Sequence, residues 1–306
     1  MALHSLTSVT IGVPNTDETA AYYADFGLDP LPDGWFATRD GGAQLRIVPA
    51  PTRRLLDLCV GADDIDDLRR IEAALRRMDI ASAWVDGGLT AVEPATGVRV
   101  TVRTAPRLSQ APVAPVASNG PGRYDRVGAR APGVLRVNPV RPRKLGHAVL
   151  GTTDFAATTS FFTDGLGFLP SDYIRDEGAF LRCSTDHHNV LVLRAPVAFL
   201  HHTSWQVDDI DEVGRGASAM LEADPDRHVW GLGRHHAGSN FFWYLKDPAG
   251  NFSEYYADMD CVVEDQLWTP ETFQGAQGLF NWGPPPPASF LRPEDLAALM
   301  TGSHAS

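Results

Sequence analysis

The sequence predicts an α+β protein of two domains, each built from two copies of a strand-helix-strands (βαβββ) module. An internal repeat carries most of that reading. LTSVTIGVPNTDETAAYYADFGLD aligns with LGHAVLGTTDFAATTSFFTDGLGF, and LDLCVGADDIDDLRRIEAALRRM aligns with HHTSWQVDDIDEVGRGASAMLEAD on the shared DDID. A shift in composition supplies the second observation: residues 104–142 are rich in Pro, Ala, Gly and Arg with little periodicity, as expected of a connecting arm. The expected organisation is a first domain over residues 1–103, the arm over 104–142, a second domain over 143–263 and a C-terminal tail over 264–306.

Taken in order, LTSVTIGVPN reads as a strand and turn, and Thr16 or Asp17 can cap a helix through Tyr22 to Phe26 that Gly27 closes. WFATRDGGAQLRIVPA holds two strands around the Asp40-Gly41-Gly42 hairpin signal. Ile65, Leu68, Ile71 and Leu75 then fall at helical spacing, and strand signals return in AWVDGGLTAVEPATGVRVTVR. In the second domain Asp154 is the expected cap of a helix bearing Phe155, Phe162 and Leu166, stopped by Gly165 and Gly167. The tail carries Trp268, Phe273, Phe280, Trp282 and a proline run from Pro284 to Pro287; its aromatics are expected to pack on the body, with a short helix over Leu291 to Met300 and no part in the chemistry.

Composition excludes several classes. With 26 basic residues against 38 acidic ones the net charge is −12, the wrong sign for non-specific attraction to nucleic acid or anionic membrane. Cys59, Cys183 and Cys261 are too few and too scattered for a disulfide framework or a cysteine zinc site, which fits a reducing cytoplasm. Neither a basic, apolar leader nor a run of about 18 apolar residues is present, so no membrane span is expected.

The polar residues gather in the second domain. In FLHHTSWQVDDID, period two sends His202, Ser204 and Gln206 to one face and Thr203, Trp205 and Val207 to the other. In LGHAVL, His147 lies between Leu145 and Val149 on one face; in HNVLVL, His188 leads Val190 and Val192. SNFFWYL sets Asn240, Phe242 and Tyr244 on one face, and GNFSEYYA does the same with Phe252, Glu254 and Tyr256. A carboxylate between two aromatic rings is costly to bury unpaired, and a cation resolves that cost. His147 and His202 with Glu254 form a two-histidine, one-carboxylate set that leaves positions open on an Fe(II) ion. One strand histidine alone is more often structural than a ligand. Yet His187-His188, His201-His202 and His235-His236 make three doublets where chance gives about a third of one. Period two turns the members of a doublet to opposite faces, so at most one of each is expected to serve the site.

The segments RKLGHAVL, DHHNVLVL, FLHHTSWQV and GLGRHHAGSNFFWYLKDPAGNFSEYY resemble the type I extradiol ring-cleavage dioxygenases of the vicinal oxygen chelate superfamily. The resemblance spans nearly the whole chain, the two-domain repeat included. It implies that His147, His202 and Glu254 bind Fe(II), or Mn(II) as in some members, that His188 acts as acid and base, and that His235 and Tyr244 line the substrate site. It also implies a homo-oligomer. Two features depart from the pattern: Trp243 precedes the tyrosine where an aliphatic residue or Phe is usual, and His236 stands beside His235. Ser8, Asp57 and Thr101 occupy the aligned ligand positions of the first domain, which is expected to be a structural duplicate without a metal.

The implied reaction is cleavage of a catechol ring by O2 to a muconic semialdehyde-type product in aromatic-compound catabolism. Asn240, Phe242, Tyr244, Phe252 and Tyr256 are expected to line the substrate site and to favour an alkyl- or aryl-substituted ring, with no evident cationic partner among these residues for a second carboxylate. The alternatives are a non-oxidative member of the superfamily, such as a glyoxalase-like isomerase or a thiol transferase, and a metal-free sequestering protein.

Overall fold

A computed structural model describes residues 3–292 and 294–303; residues 1–2 and 304–306, the ends of the expected first domain and tail, lie outside the described residues. Two sheets carry the architecture. In the first, Leu3–Val13 and Arg54–Ala62 run antiparallel at the centre, with Gly42–Pro49 parallel to the one and Arg99–Thr104 parallel to the other. The second repeats this plan: Lys144–Thr152 pairs antiparallel with Phe199–Gln206, flanked by Val190–Arg194 and Phe252–Ala257 in parallel. Each half therefore contributes one central strand, one helix and three further strands, and the two halves meet along the central pair. The tail adds a strand, Glu271–Phe273, beside Leu169–Ile174 at the edge of the second sheet.

The helices follow their local signals, except that the first cap moves and the helix expected over Leu291 to Met300 begins at Leu296. Asn15, not Thr16 or Asp17, stands at the N-cap of the helix Thr16–Asp25, because the Asn15 carbonyl already accepts from the Thr19 amide at 3.1 Å. Asp17 instead sits in the first turn, where a carboxylate complements the helix dipole. Asp64 caps Ile65–Arg77 in a reciprocal capping box with Asp67; Leu68, Ile71 and Leu75 are buried, while Ile65 is exposed. Asp154 accepts from the Ala157 amide, and the helix Phe155–Ser160 widens into a π-helical turn over Phe161–Leu166 before Gly167 ends it in the left-handed region at φ 87°. The connecting arm is mostly irregular, and the terminal helix covers Leu296–Ser303. None of the helices described is long and apolar enough to cross a membrane.

Strand alternation explains why the first domain packs where it does. On Phe252–Ala257, Phe252, Glu254 and Tyr256 take one face and leave Ser253, Tyr255 and Ala257 for the other. That second face meets the helix Thr16–Asp25. Phe26 stacks on Tyr255 with ring centroids 3.8 Å apart and planes within 3°, the Tyr255 hydroxyl donates to the Phe26 carbonyl at 2.7 Å, and Tyr23 packs edge-on against Trp205. All of these rings are buried. The strands that carry His202 and Glu254 are thus backed by an aromatic layer from the other domain.

Removing one of these rings should cost what a buried aromatic truncation usually costs. We expect Tyr255→Ala to lower unfolding stability by about 3–5 kcal/mol, and Tyr255→Phe, which loses only the hydroxyl, by about 1 kcal/mol. Urea unfolding checks both; equal midpoints for Tyr255→Ala and the parent chain would show that the stack does not hold the domains together.

Candidate metal centre

His147 and His202 come from the two antiparallel central strands, and Glu254 from the strand parallel to the second of them. Register brings them together. His147 lies opposite Ser204, and Ser204 lies opposite Glu254, so these residues form one row across three strands with His202 two residues along the same face. Gly146 makes the approach possible, because a Cβ there would lie 2.2 Å from the Tyr256 hydroxyl oxygen.

The ligand-type atoms converge. His147 Nε2 is 3.3 Å from His202 Nε2 and 3.1 Å from Glu254 Oε2, and His202 Nε2 is 3.7 Å from that oxygen. Two ligands about 2.1 Å from one ion and at right angles are about 3 Å apart. All three residues are buried, and Glu254 Oε2 has no hydrogen-bond partner. An orphaned carboxylate oxygen facing two imidazole nitrogens at this spacing fits a divalent cation. The other oxygen, Oε1, accepts from Asn240 Nδ2 at 3.2 Å, which turns Oε2 toward the histidines.

Electrostatics agree with that donor set. Burial pushes the Glu254 carboxyl up, but the close approach of the His147 and His235 imidazoles outweighs it, so its pKa falls well below the ordinary carboxylate range. Burial, reinforced by His201, holds the His202 pKa well below that of an ordinary imidazole, leaving it neutral. His201 is likewise pushed down to about 4 by burial.

The doublets correct the expectation from period two. A β-bulge interrupts the pairing between Val149 opposite His202 and Leu150 opposite Leu200, so His201 is the extra residue. His201 and His202 therefore meet, Nδ1 to Nδ1, at 2.7 Å, and His201 Nε2 donates to the Phe290 carbonyl at 2.7 Å. His187 and His188 lie in the loop before Val190–Arg194 and meet in the same way at 3.0 Å, with His187 Nε2 bound to Asp172 Oδ2 at 2.8 Å. The outer histidine of each pair supports the inner one. In the third pair His235 turns inward while His236 is exposed against Phe273, which separates the two imidazoles.

A cavity of about 820 Å³ opens over the centre, lined by His147, His188, His202, His235 and Tyr244. His188 lies against His147, with ring centroids 4.2 Å apart; burial and then the neighbouring His147 drive its pKa well below the usual imidazole value. The Tyr244 hydroxyl donates to His235 Nε2 at 2.9 Å, while His235 Nδ1 donates to the Leu279 carbonyl. Burial, followed by the Glu254 charge, raises the Tyr244 pKa well above that of a free phenol.

Other expectations need correction. Asn240, Phe242, Phe252 and Tyr256 are buried behind the site rather than on the cavity wall, which is formed by Ile174, Phe180, Leu191, Leu193, Leu279 and Leu291. Arg175, Arg194 and Arg292, which are not among the residues expected to line the site, stand at the cavity beside Asp176 and Glu177. The tail, expected to take no part, supplies Leu279, Phe290, Leu291, Arg292 and Leu296 to the lining. Its aromatic packing was expected from composition, but no sequence signal marked its backbone carbonyls as partners of His201 and His235. Trp243 faces away, its Nε1 donating to His228. In the first domain Asp57 is engaged by Arg99 and Thr101, near Cys59.

Residues 144–255 match the family described as the Glyoxalase/Bleomycin resistance protein/Dioxygenase superfamily. Metapyrocatechase 2 of Cupriavidus necator is 36% identical over 199 residues, 64% of this chain and 61% of its own length. The iron-dependent extradiol dioxygenase of Rhodococcus jostii is 31% identical over 139 residues, 40% of this chain and 46% of its own. The chain thus spans less than two thirds of these relatives. Among solved structures, the Mn(II)-bound glyoxalase from Novosphingobium aromaticivorans is 26% identical with a TM-score of 0.74, covering 94% of this chain and 93% of that one. Homoprotocatechuate 2,3-dioxygenase from Arthrobacter globiformis, at 16% identity, TM-score 0.73 and coverages of 95% and 91%, shares the fold. With the repeated βαβββ plan, the second domain matches the glyoxalase, bleomycin-resistance and dioxygenase superfamily, and the chain is similar to the extradiol dioxygenases and the glyoxalase named above.

Proposed function

We propose that the protein is an Fe(II)-dependent extradiol dioxygenase that opens the ring of a substituted catechol with O2. The observation that carries this reading is the arrangement of His188, His235 and Tyr244 around the buried His147, His202 and Glu254 set, at the floor of one cavity. His147, His202 and Glu254 would hold a divalent iron, which would supply open coordination positions and one-electron chemistry for a catechol and O2. The relatives named after iron and manganese leave the choice of ion to reconstitution with each.

The protein's own residues manage protons and orientation. His188, neutral because it is buried, accepts a catechol hydroxyl proton at Nε2 and returns it to the oxygen-derived product. Tyr244 remains a phenol, and its oxygen, held by the hydrogen bond to His235, is positioned to accept from a substrate hydroxyl. The apolar wall shields the ring from water. Small-molecule sites occupy roughly 300–1,000 Å³, so a cavity of about 820 Å³ has room beyond the catechol ring for an alkyl or aryl substituent.

Three unpaired cysteines suit the reducing cytoplasm we assign to the protein. Homo-oligomerisation belongs to the same proposal; exposed Trp84 and Val85 on the edge strand Ser82–Val85 support it, and light scattering of the intact chain tests it. The likeness to a glyoxalase favours, as the second reading, a non-oxidative isomerase on the same metal set.

Anaerobic loading with Fe(II), followed by O2 and a panel of 3- and 4-substituted catechols, separates the two. We expect one O2 consumed per ring and a yellow semialdehyde. No uptake across the panel with iron bound would favour the isomerase, and a colourless muconic diacid would refute extradiol cleavage.

Glu254→Ala should lose bound metal along with turnover, since a three-ligand set cannot spare a member; full metal content by elemental analysis would sink the assignment. His188→Phe should keep its iron while kcat falls about 100-fold or more. Loss of iron in that variant would instead make His188 a ligand or a support of one.

A further inference from the structure

A histidine ligand can give a metal only the nitrogen that carries a lone pair, and the group bound to its other nitrogen decides which one that is. At His202 that group is His201. The chain of contacts fixes every proton along it. The Phe290 carbonyl only accepts, so His201 Nε2, 2.7 Å away, carries a hydrogen. His201 is buried among the rings of Phe252 and Phe290 with no carboxylate bonded to it, so it is neutral and its Nδ1 holds a lone pair. His202 Nδ1, 2.7 Å from that lone pair, then carries the hydrogen. The remaining nitrogen, His202 Nε2, is left bare toward His147 and Glu254.

We propose that His201 is a positioning residue that passes a tautomer from the Phe290 carbonyl to His202, so that the C-terminal segment prepares the His202 ligand before any metal arrives. The proposal rests on the reading of His202 as a metal ligand. The segment is itself fixed from the first domain. Arg53, almost fully buried, binds Asp295 through Nε and Nη2 at 2.6 and 2.8 Å, and its Nη1 donates to the Leu200 carbonyl at 2.8 Å and to Asn251 Oδ1 at 3.2 Å. One guanidinium thus ties the tail, on the far side of Phe290, to the residue preceding His201.

Two measurements on the full-length chain test this. In the metal-free wild type, long-range 1H–15N spectra of the imidazoles should show His201 protonated at Nε2 and His202 at Nδ1; a His202 protonated at Nε2 would overturn the proposal. Mn(II) titration then compares variants. His201→Leu removes the acceptor and should weaken Mn(II) binding about 10- to 100-fold. His201→Asn, whose amide oxygen sits near the position of the lost Nδ1, should restore most of that affinity. Equal binding by wild type and His201→Leu, or equal loss in the Leu and Asn variants, would sink the relay alone. Failure of the wild type to bind Mn(II) would sink the metal reading with it. None of these readouts depends on turnover, so a failure of the dioxygenase proposal registers separately.

Discussion

The second domain is organised around a repulsion. Two imidazole nitrogens and a carboxylate oxygen face one another within 4.8 Å, deep in the protein. Where both imidazoles are neutral and present lone pairs to the carboxylate, the three repel one another, and burial removes the water that would relieve them. A divalent cation turns that repulsion into binding. Much of the surrounding structure holds the donors in this otherwise unfavourable position: Asn240 fixes the carboxylate, His201 fixes one imidazole, and Gly146 lets Tyr256 close over the other strand. Such strain against local preference is typical of a functional site.

Much of this was legible in the sequence where strand period two holds. The placement of His147, His202 and Glu254 on one inner face followed from alternation in three segments, and the duplicated DDID fixed the repeat before any single element was certain. The legible part ended where alternation broke. His201 sits at a bulge and His187 in a loop, so neither obeys the rule that separates neighbours by face, and their support of His202 and His188 could not be derived from spacing. The substrate wall was missed for another reason. Phe242, Phe252 and Tyr256 do lie on the inner face, but a face says nothing about depth: Phe252 is stacked against Phe290 of the tail, and the cavity is walled by other side chains, among them those of the tail and of the strand Val190–Arg194.

The duplication divides labour. In the first domain the strands that correspond to the metal strands carry Asp57, Arg99 and Thr101, which satisfy one another, while its helix supplies Tyr22, Tyr23 and Phe26 to the back of the second sheet. A further tie runs at the other end, where buried Glu93 accepts from Thr158 of the second domain. The first domain thus acts on the site through packing, which rigidifies the strands that carry the ligands.

The partner of His201 is a main-chain carbonyl, and that has a consequence for how such a protein changes over generations. A carbonyl is present whatever side chain residue 290 bears, so the hydrogen bond that His201 makes is independent of side-chain identity there. The same segment forms one wall of the cavity through Leu279, Phe290, Leu291, Arg292 and Leu296. Substitutions along it can therefore reshape the space for a ring substituent while the backbone path to His202 stays in place. The segment lies outside the repeated modules and carries none of the three candidate ligand residues, so the shape of the cavity can change close to the candidate metal centre at positions genetically separate from it.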